Sequence, residues 1–343
     1  MHRIGSAHYG RRRLLESSIR LGGLALLAGC GVLPWARPPA KVARIGYLAL
    51  VRSDDPVLAH TVEVFRQGLH ELGYVEGQNI ALEVRYADGR VERLPELAAE
   101  LVRLPVDVLV AGGGTQNALV AQQATSEIPI VMVAVVDPVG AGLVASFNRP
   151  GGNITGLTNT ASETATKRLD LLKETIPGLA RVDYLWNPNN LGVQDDLPVL
   201  QAAASALGVV IRSREARGPD ELDGAFAAIA GDRPDGLIVQ SDATYLPHAR
   251  RIADIVAGLR LPAIHVLQEY VEAGGLMSYG VSLPDLFRRA AGYVDKILKG
   301  ARPADLPVEQ PTKFDFLIDL HAARAIGLTI PPTVLQQATE VIQ

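Results

Sequence analysis

Val106-Asp107-Val108-Leu109-Val110-Ala111-Gly112-Gly113-Gly114-Thr115-Gln116-Asn117 carries an apolar run straight into three glycines and a helix start. Such a run is what a strand buried on both faces of a parallel sheet requires, and the glycines permit a tight turn after it. Residues 130–136 form a second run of the same kind, and residues 44–50 and 80–86 also read as strands. Between them Leu58, Val62, Phe65, Leu69 and Leu72 recur at helical spacing until Gly73, a residue suited to ending a helix. Leu94, Leu97, Leu101 and Leu104 mark a further helix. The alternation is a βαβ series, which predicts an α/β, doubly wound lobe.

The pattern pauses at Arg149-Pro150-Gly151-Gly152-Asn153 and then restarts. Thr160 and Glu163 form a T-x-x-E capping box ahead of a helix containing Leu169, Leu172 and Ile176. Strands over 182–186, 209–214, 236–240 and 262–266 then alternate with helices over 199–207, from Pro219 to Ile229, and over 245–259. About 300 residues follow Lys41, more than one hydrophobic core usually organises, so a second lobe of the same architecture is expected.

Cys30 is the only cysteine among the 343 residues. It follows Arg11, Arg12 and Arg13, an apolar segment over 21–29, and the run Leu27-Ala28-Gly29. That segment is far shorter than the ~20 residues that span a bilayer. The layout predicts a lipoprotein signal peptide over 1–29, a lipid-modified Cys30, and a proline-bearing tether over 30–41. An ordinary secretory signal with an incidental cysteine is the alternative. A chain with no other thiol suits an oxidising compartment, so the expected location is periplasmic or extracytoplasmic, with a lipid anchor to the membrane. Gly10-Arg11-Arg12-Arg13-Leu14-Leu15 also resembles a twin-arginine signal, which leaves the export route open. Residues 1–29 hold five arginines and one glutamate, so cleavage moves the formal net charge from −4 to −8. An acidic body of this kind excludes nucleic acid as a partner.

Several segments carry a resemblance. They are Gly73-Tyr74-Val75-Glu76-Gly77-Gln78-Asn79, Asp137-Pro138-Val139-Gly140-Ala141-Gly142-Leu143-Val144, Arg149-Pro150-Gly151-Gly152-Asn153-Ile154-Thr155-Gly156, Leu276-Met277-Ser278-Tyr279-Gly280 and Ile297-Leu298-Lys299-Gly300-Ala301-Arg302-Pro303-Ala304-Asp305-Leu306-Pro307-Val308. In this order they resemble the ABC-transporter substrate-binding lipoproteins related to the tryptophan/tyrosine-binding proteins. The resemblance implies a type I periplasmic-binding-protein fold, two doubly wound Rossmann-like lobes joined by three crossovers near 156–160, 279–283 and 310–314. Lobe 1 would comprise 42–157 plus 284–310, and lobe 2 would comprise 158–283 plus 311–343. It also implies a monomer that captures a small-molecule solute, an amino acid or aromatic-like carboxylate, and passes it to an ABC permease with a separate ATPase subunit. A binding protein that reports to a membrane receptor would carry the same features.

Ligands of open α/β sheets bind beyond the carboxyl ends of the strands. After Ala111 the glycines lead into Thr115 and Gln116, where free N–H groups at a helix start attract a carboxylate; a plain tight turn is the competing reading. Asp137 either accepts a ligand ammonium or caps the next helix. In the second half Asn187 and Asn189 follow one strand, and Asp242 and Tyr245 follow another, with Asp242 the preferred ammonium partner. Tyr47, Tyr245 and Tyr279 offer aromatic faces near strand ends or a crossover, and Ser53 lies in the loop 52–56 that faces the ligand under the family reading.

Enzyme chemistry finds no support in the motifs. The chain has no G-x-S-x-G elbow, no H-E-x-x-H and no cysteine pair for zinc. Beyond the signal, His60, His70, His248, His265 and His321 are scattered without ligand spacing, so no catalytic residue, metal or cofactor is expected. His265, at a strand end, either touches solute or belongs to the core.

Overall fold

Apolar strands that need cover on both faces come together here in two parallel sheets. The structure, a computed structural model, describes residues 42–51, 59–159, 161–190, 193–194, 196–242 and 244–343. The expected signal peptide (1–29), Cys30, the tether (30–41), Ser53 with its loop, and Thr160 of the capping box lie outside the described residues.

The first sheet is built from β1 (Ala43–Ala49), β2 (Ile80–Tyr86), β3 (Val108–Gly112), β4 (Ile130–Val135) and β5 (Ile154–Thr158). Between these strands run α1 (Ala59–Glu71), α2 (Leu94–Arg103) and α3 (Thr115–Ala124). The strand order is β2-β1-β3-β4-β5, and every pairing is parallel. All five residues of β3 and of β5 are buried, as continuous apolar runs require. β5 approaches β4 so closely that a Cβ on Gly156, at φ 141°, would stand 2.0 Å from the Met132 carbonyl oxygen.

The chain then enters α4 (Ala161–Thr175) and builds the second sheet. Its elements are β6 (Arg181–Trp186), α5 (Asp196–Ala206), β7 (Val210–Glu215), α6 (Leu222–Asp232), β8 (Gly236–Val239), α7 (Ala249–Gly258), β9 (Ala263–His265), α8 (Glu269–Glu272) and β10 (Met277–Gly280). After β10 the long helix α9 (Leu283–Leu298) packs back on the first lobe, and Glu309 bridges Leu157 beside β5. The chain then returns to the second sheet as β11 (Asp315–Asp319), α10 (Leu320–Ile326), α11 (Pro332–Leu335) and β12 (Glu340–Ile342). The sheet order is β12-β11-β10-β9-β8-β6-β7, parallel except for the antiparallel pair β10/β11. The stretch β7-β6-β8-β9-β10 repeats the order of the first sheet, so each lobe reverses direction between its first and third strands. This is the architecture of the type I periplasmic binding proteins.

α9 ties this arrangement together. Leu283, Leu286, Phe287, Ala290, Ala291, Tyr293, Val294 and Ile297 form a buried stripe at helical spacing. The Ser282 side chain caps it by accepting from the Asp285 amide at 3.4 Å. One continuous apolar cluster joins Phe287 to Val110 of the first lobe and to Val266 and Leu267 of the second. Against α1 the packing is tight, because a Cβ on Gly68 would lie 2.8 Å from the Arg288 carbonyl oxygen. Gly68→Ala is therefore expected to lower stability by about 1–2 kcal/mol, because overpacking outweighs the helix-propensity gain of up to about 1 kcal/mol. Urea unfolding checks this, and a raised midpoint would mean the two helices stand further apart.

Candidate functional site

Both sheets present their carboxyl ends to one cavity of about 400 Å³ that lies between the lobes. It opens at the two points where strand order reverses, the place where doubly wound sheets leave a crevice. From the first lobe it is lined by Tyr47 at the end of β1 and by Gly112 to Gln116 after β3. From the second come Asn187, Asn189 and Asn190 after β6, and Gln240, Ser241, Asp242 and Thr244 after β8.

The first-lobe wall is a helix start without a side-chain cap. Gly113 and Gly114 take φ of 113° and 104°, and Gly114 stands at the N-cap of α3. The amides of the first turn, Thr115 to Asn117, have no intrahelical acceptor, and no acidic side chain lies in that turn. The helix end is therefore a partly positive anion site. Asn117 fixes it in place: fully buried, it donates from Nδ2 to the carbonyls of Leu48 (3.1 Å) and Gly112 (2.7 Å), stitching the turn to β1. Tyr47 lies across Gly112 so closely that a Cβ there would stand 2.5 Å from the phenol oxygen. Its hydroxyl bonds the Thr61 side chain, and burial pushes the phenol well above its usual range, so it stays protonated.

The opposing wall holds one buried carboxylate, and its Arg217 is paired with Glu215 at 3.2 Å and Glu221 at 3.5 Å. Asp242 is 7 % exposed and accepts from Asn190 Nδ2 (3.0 Å), the Thr244 amide (2.9 Å) and the Thr244 hydroxyl. Among the described residues no lysine or arginine pairs with it. A carboxylate at a cavity wall, held by neutral donors alone, is complementary to a cation. Gln116 Nε2 reaches the Asn189 carbonyl at 3.4 Å, so the lobes touch across the cleft. Leu246, Val266 and Leu267 of the second lobe, with Leu283 and Phe287 of α9, supply an apolar floor.

Of the residues singled out from sequence, Tyr47, Thr115, Gln116, Asn187, Asn189 and Asp242 line this cavity. Three others are placed elsewhere. Asp137 is exposed at φ 40° and accepts from the Gly140 amide at 2.9 Å inside a turn, and no helix stands between β4 and β5 for it to cap. Tyr245 is fully buried and donates its hydroxyl to the Ala216 carbonyl, standing just before the short turn Leu246–His248 that leads into α7 at Ala249. Tyr279 stacks on Phe314 at 6.0 Å. Gln240, Asn159, Arg217, Leu283 and Phe287 line the cavity without having been singled out. Gln240 closes an apolar strand, and the two α9 residues carry only a helical apolar period, so local sequence holds no signal for them.

His265 belongs to the core: it is fully buried and stacks on Tyr270 with ring centroids 4.7 Å apart. Burial pushes its pKa down to about 3, and burial likewise pushes the nearby Glu269 up to about 7. As pH falls from about 6.5 to 4.5, the unfolded histidine takes a proton that the folded one refuses, which removes stability. Over the same window folded Glu269 holds a proton that the unfolded chain releases, which adds stability as pH falls. The two slopes oppose. Glu269→Gln is therefore expected to make stability fall more steeply than in wild type between pH 6.5 and 4.5, by up to about 1.4 kcal/mol per pH unit. Urea titrations at several pH values check this, and parallel curves would show that Glu269 ionises as it does in water.

Two lobes that meet at a polar cleft with an apolar floor define a solute-binding protein of the type I fold. The model of the ABC transporter substrate binding protein family matches residues 45–342, and the chain belongs to that family, which is extracytoplasmic. It is 26 % identical over 288 residues to a tyrosine-binding protein of Clostridioides difficile strain R20291, covering 84 % of this chain and 82 % of that one. A solved Streptococcus pneumoniae domain in complex with L-Trp is 26 % identical with a TM-score of 0.81, covering 88 % of this chain and all of that one. The ligand-free, open structure of a Clostridium difficile substrate-binding protein with adhesive properties is 25 % identical with a TM-score of 0.66, covering 88 % and 99 %. Among the described residues no helix is long and apolar enough to cross a membrane.

Proposed function

We propose that this chain is the lipid-anchored solute receptor of an ABC importer, and that its solute is a free α-amino acid. The observation that carries the solute class is the pairing of two opposite electrostatic features in one cavity. The uncapped start of α3 offers N–H groups, among them that of Thr115, and the second Nε2 hydrogen of Gln116 to a carboxylate, the Thr115 hydroxyl itself donating to the Val136 carbonyl at 3.3 Å. Asp242 offers a buried negative charge to an ammonium. A zwitterion satisfies both at once, and its side chain then lies over Leu246, Val266, Leu267 and Phe287. Tryptophan and tyrosine are the first candidates, given what the relatives' names state that they bind.

Each lobe holds one end of such a ligand, so binding stabilises the closed arrangement by what it gains from bridging. Closure is assigned to lobe 1 (42–157 plus 284–310) turning against lobe 2 (158–283 plus 311–343), a division supported by the sheet membership of β5, β10 and β11. The closed form docks on a permease, and ATP chemistry belongs to a separate subunit. The protein itself does no chemistry on the solute. Anchoring falls to Cys30.

A thermal-shift panel of amino acids tests the solute class. L-tryptophan or L-tyrosine at ~100 times its dissociation constant should add about 2.7 kcal/mol of stability. The N-acetyl and carboxamide derivatives should add far less, and equal shifts from the blocked compounds would remove the zwitterion reading. Asp242→Asn, which keeps the acceptor for Thr244, should weaken binding by at least about 30-fold in calorimetry, the low end for unpairing a desolvated charge. Unchanged affinity would take Asp242 out of the site. Cys30→Ser should move the protein from the membrane fraction to the soluble one; its recovery with membranes would refute the lipid anchor.

A further inference from the structure

The largest fully buried side chain is that of Arg168, on α4, and its surroundings do not resemble an ordinary buried ion pair. No carboxylate lies within salt-bridge distance of it among the described residues. Its Nη1 donates to the Thr164 hydroxyl at 2.8 Å and to the Tyr279 carbonyl at 3.1 Å, whereas Nε and Nη2 have no partner. Burial acts against the charge, and Asp196 is the strongest group favouring it. A buried guanidinium with idle donors is costly in a rigid core. A methionine or leucine would fill the same space without that cost.

The contacts run in two directions. Toward the hinge, Tyr279 is the penultimate residue of β10, immediately before the chain crosses to α9, and its ring stacks on Phe314 in the segment that crosses back to β11. α4 itself follows directly on the first crossing after β5. One guanidinium thus meets the second crossing segment at first hand and the third through an aromatic stack, from the helix that follows the first. Toward the cleft, Asp196 is 1 % exposed and accepts hydrogen bonds from Tyr184 and from Gln240 Nε2, and Gln240 lines the cavity.

We propose that Arg168 is a positioning residue that couples the cleft to the hinge, holding the crossing segments in their closed register through the Tyr279 carbonyl and sensing Gln240 through Asp196. Its idle Nε and Nη2 donors take backbone acceptors when the crossings rotate toward the open form, so the guanidinium is shared between two states. The inference rests on the two-lobe closing motion proposed above, and its main readout needs no solute.

The test uses the full chain with Cys30→Ser and nitroxide labels on cysteines placed at the exposed positions Val139 and Val210, one on each lobe. Pulsed electron resonance gives the interlobe distance distribution of the ligand-free protein for wild type, Arg168→Met, Asp196→Asn and the double variant. Coupling predicts a shifted or broadened distribution in Arg168→Met. In the double variant, with no charge left uncompensated, the thermal midpoint should return toward wild type while the shifted distribution persists. L-tryptophan affinity should stay at least about tenfold weaker than wild type, within the usual range of coupling between sites. The proposal is overturned by a wild-type distribution in Arg168→Met, or by a double variant that recovers midpoint, distances and affinity together. Failure of both Arg168 variants to fold would make the role structural and would also overturn it. If wild type does not bind L-tryptophan, the distances still decide the role of Arg168, so the solute assignment and the coupling fail separately.

Discussion

Burial of both faces of a parallel sheet is the constraint from which the rest of this molecule follows. A strand covered on both sides has no polar face, so every group able to bind solute must stand where the strand stops. Parallel pairing puts all those stops on one edge. In the first lobe that edge holds Tyr47 and the turn from Gly112 to Gln116; in the second it holds Asn187 and the run from Gln240 to Thr244. Once the crossings turn the two edges toward each other, a cavity with polar walls is the consequence of strand direction.

The helix start on one wall and the carboxylate on the other arise for separate local reasons, beside Glu92 of the first lobe and an Arg217 of the second that pairs with Glu215 and Glu221. The positive side needs no cation, since a helix start with glycine at its cap exposes amides and carries no acidic residue in its first turn. The negative side is a single carboxylate held by an asparagine and a threonine. Contrast Asp183, fully buried but bonded to Arg212 at 3.0 Å and to Arg214 at 2.6 Å. That carboxylate is neutralised within its own lobe and serves the sheet edge. Asp242 accepts from neutral donors alone, and among the described residues no cation pairs with it.

Much of the fold was legible because its signals are local. Apolar runs over 106–111 and 130–136 became β3 and β4, and the glycines after Ala111 marked the start of α3. The boundaries moved where a proline stands, as at Pro247 in the short turn Leu246–His248 that precedes α7 at Ala249. Among site residues, those standing directly after a strand were found, because position along the chain is enough to place them. Asp137 also follows a strand, yet its own turn consumes the carboxylate through the Gly140 amide. Whether a side chain serves its turn or a ligand depends on a rotamer that sequence does not state.

The sequence by itself determined the order of strands and helices, the turn that opens α3, and the family to which the chain belongs, since each is written in short-range periodicity or contiguous motifs. Tertiary structure alone decided which ends meet. Gln116 and Asn189 are 73 residues apart and touch across the cleft, and Arg168 reaches the carbonyl of a residue 111 positions away. Phe287 reaches the cavity floor from a helix whose local pattern speaks only of packing. Such neighbours are set by the crossings and by how α9 seats against α1, a balance of long-range packing that no window of sequence contains.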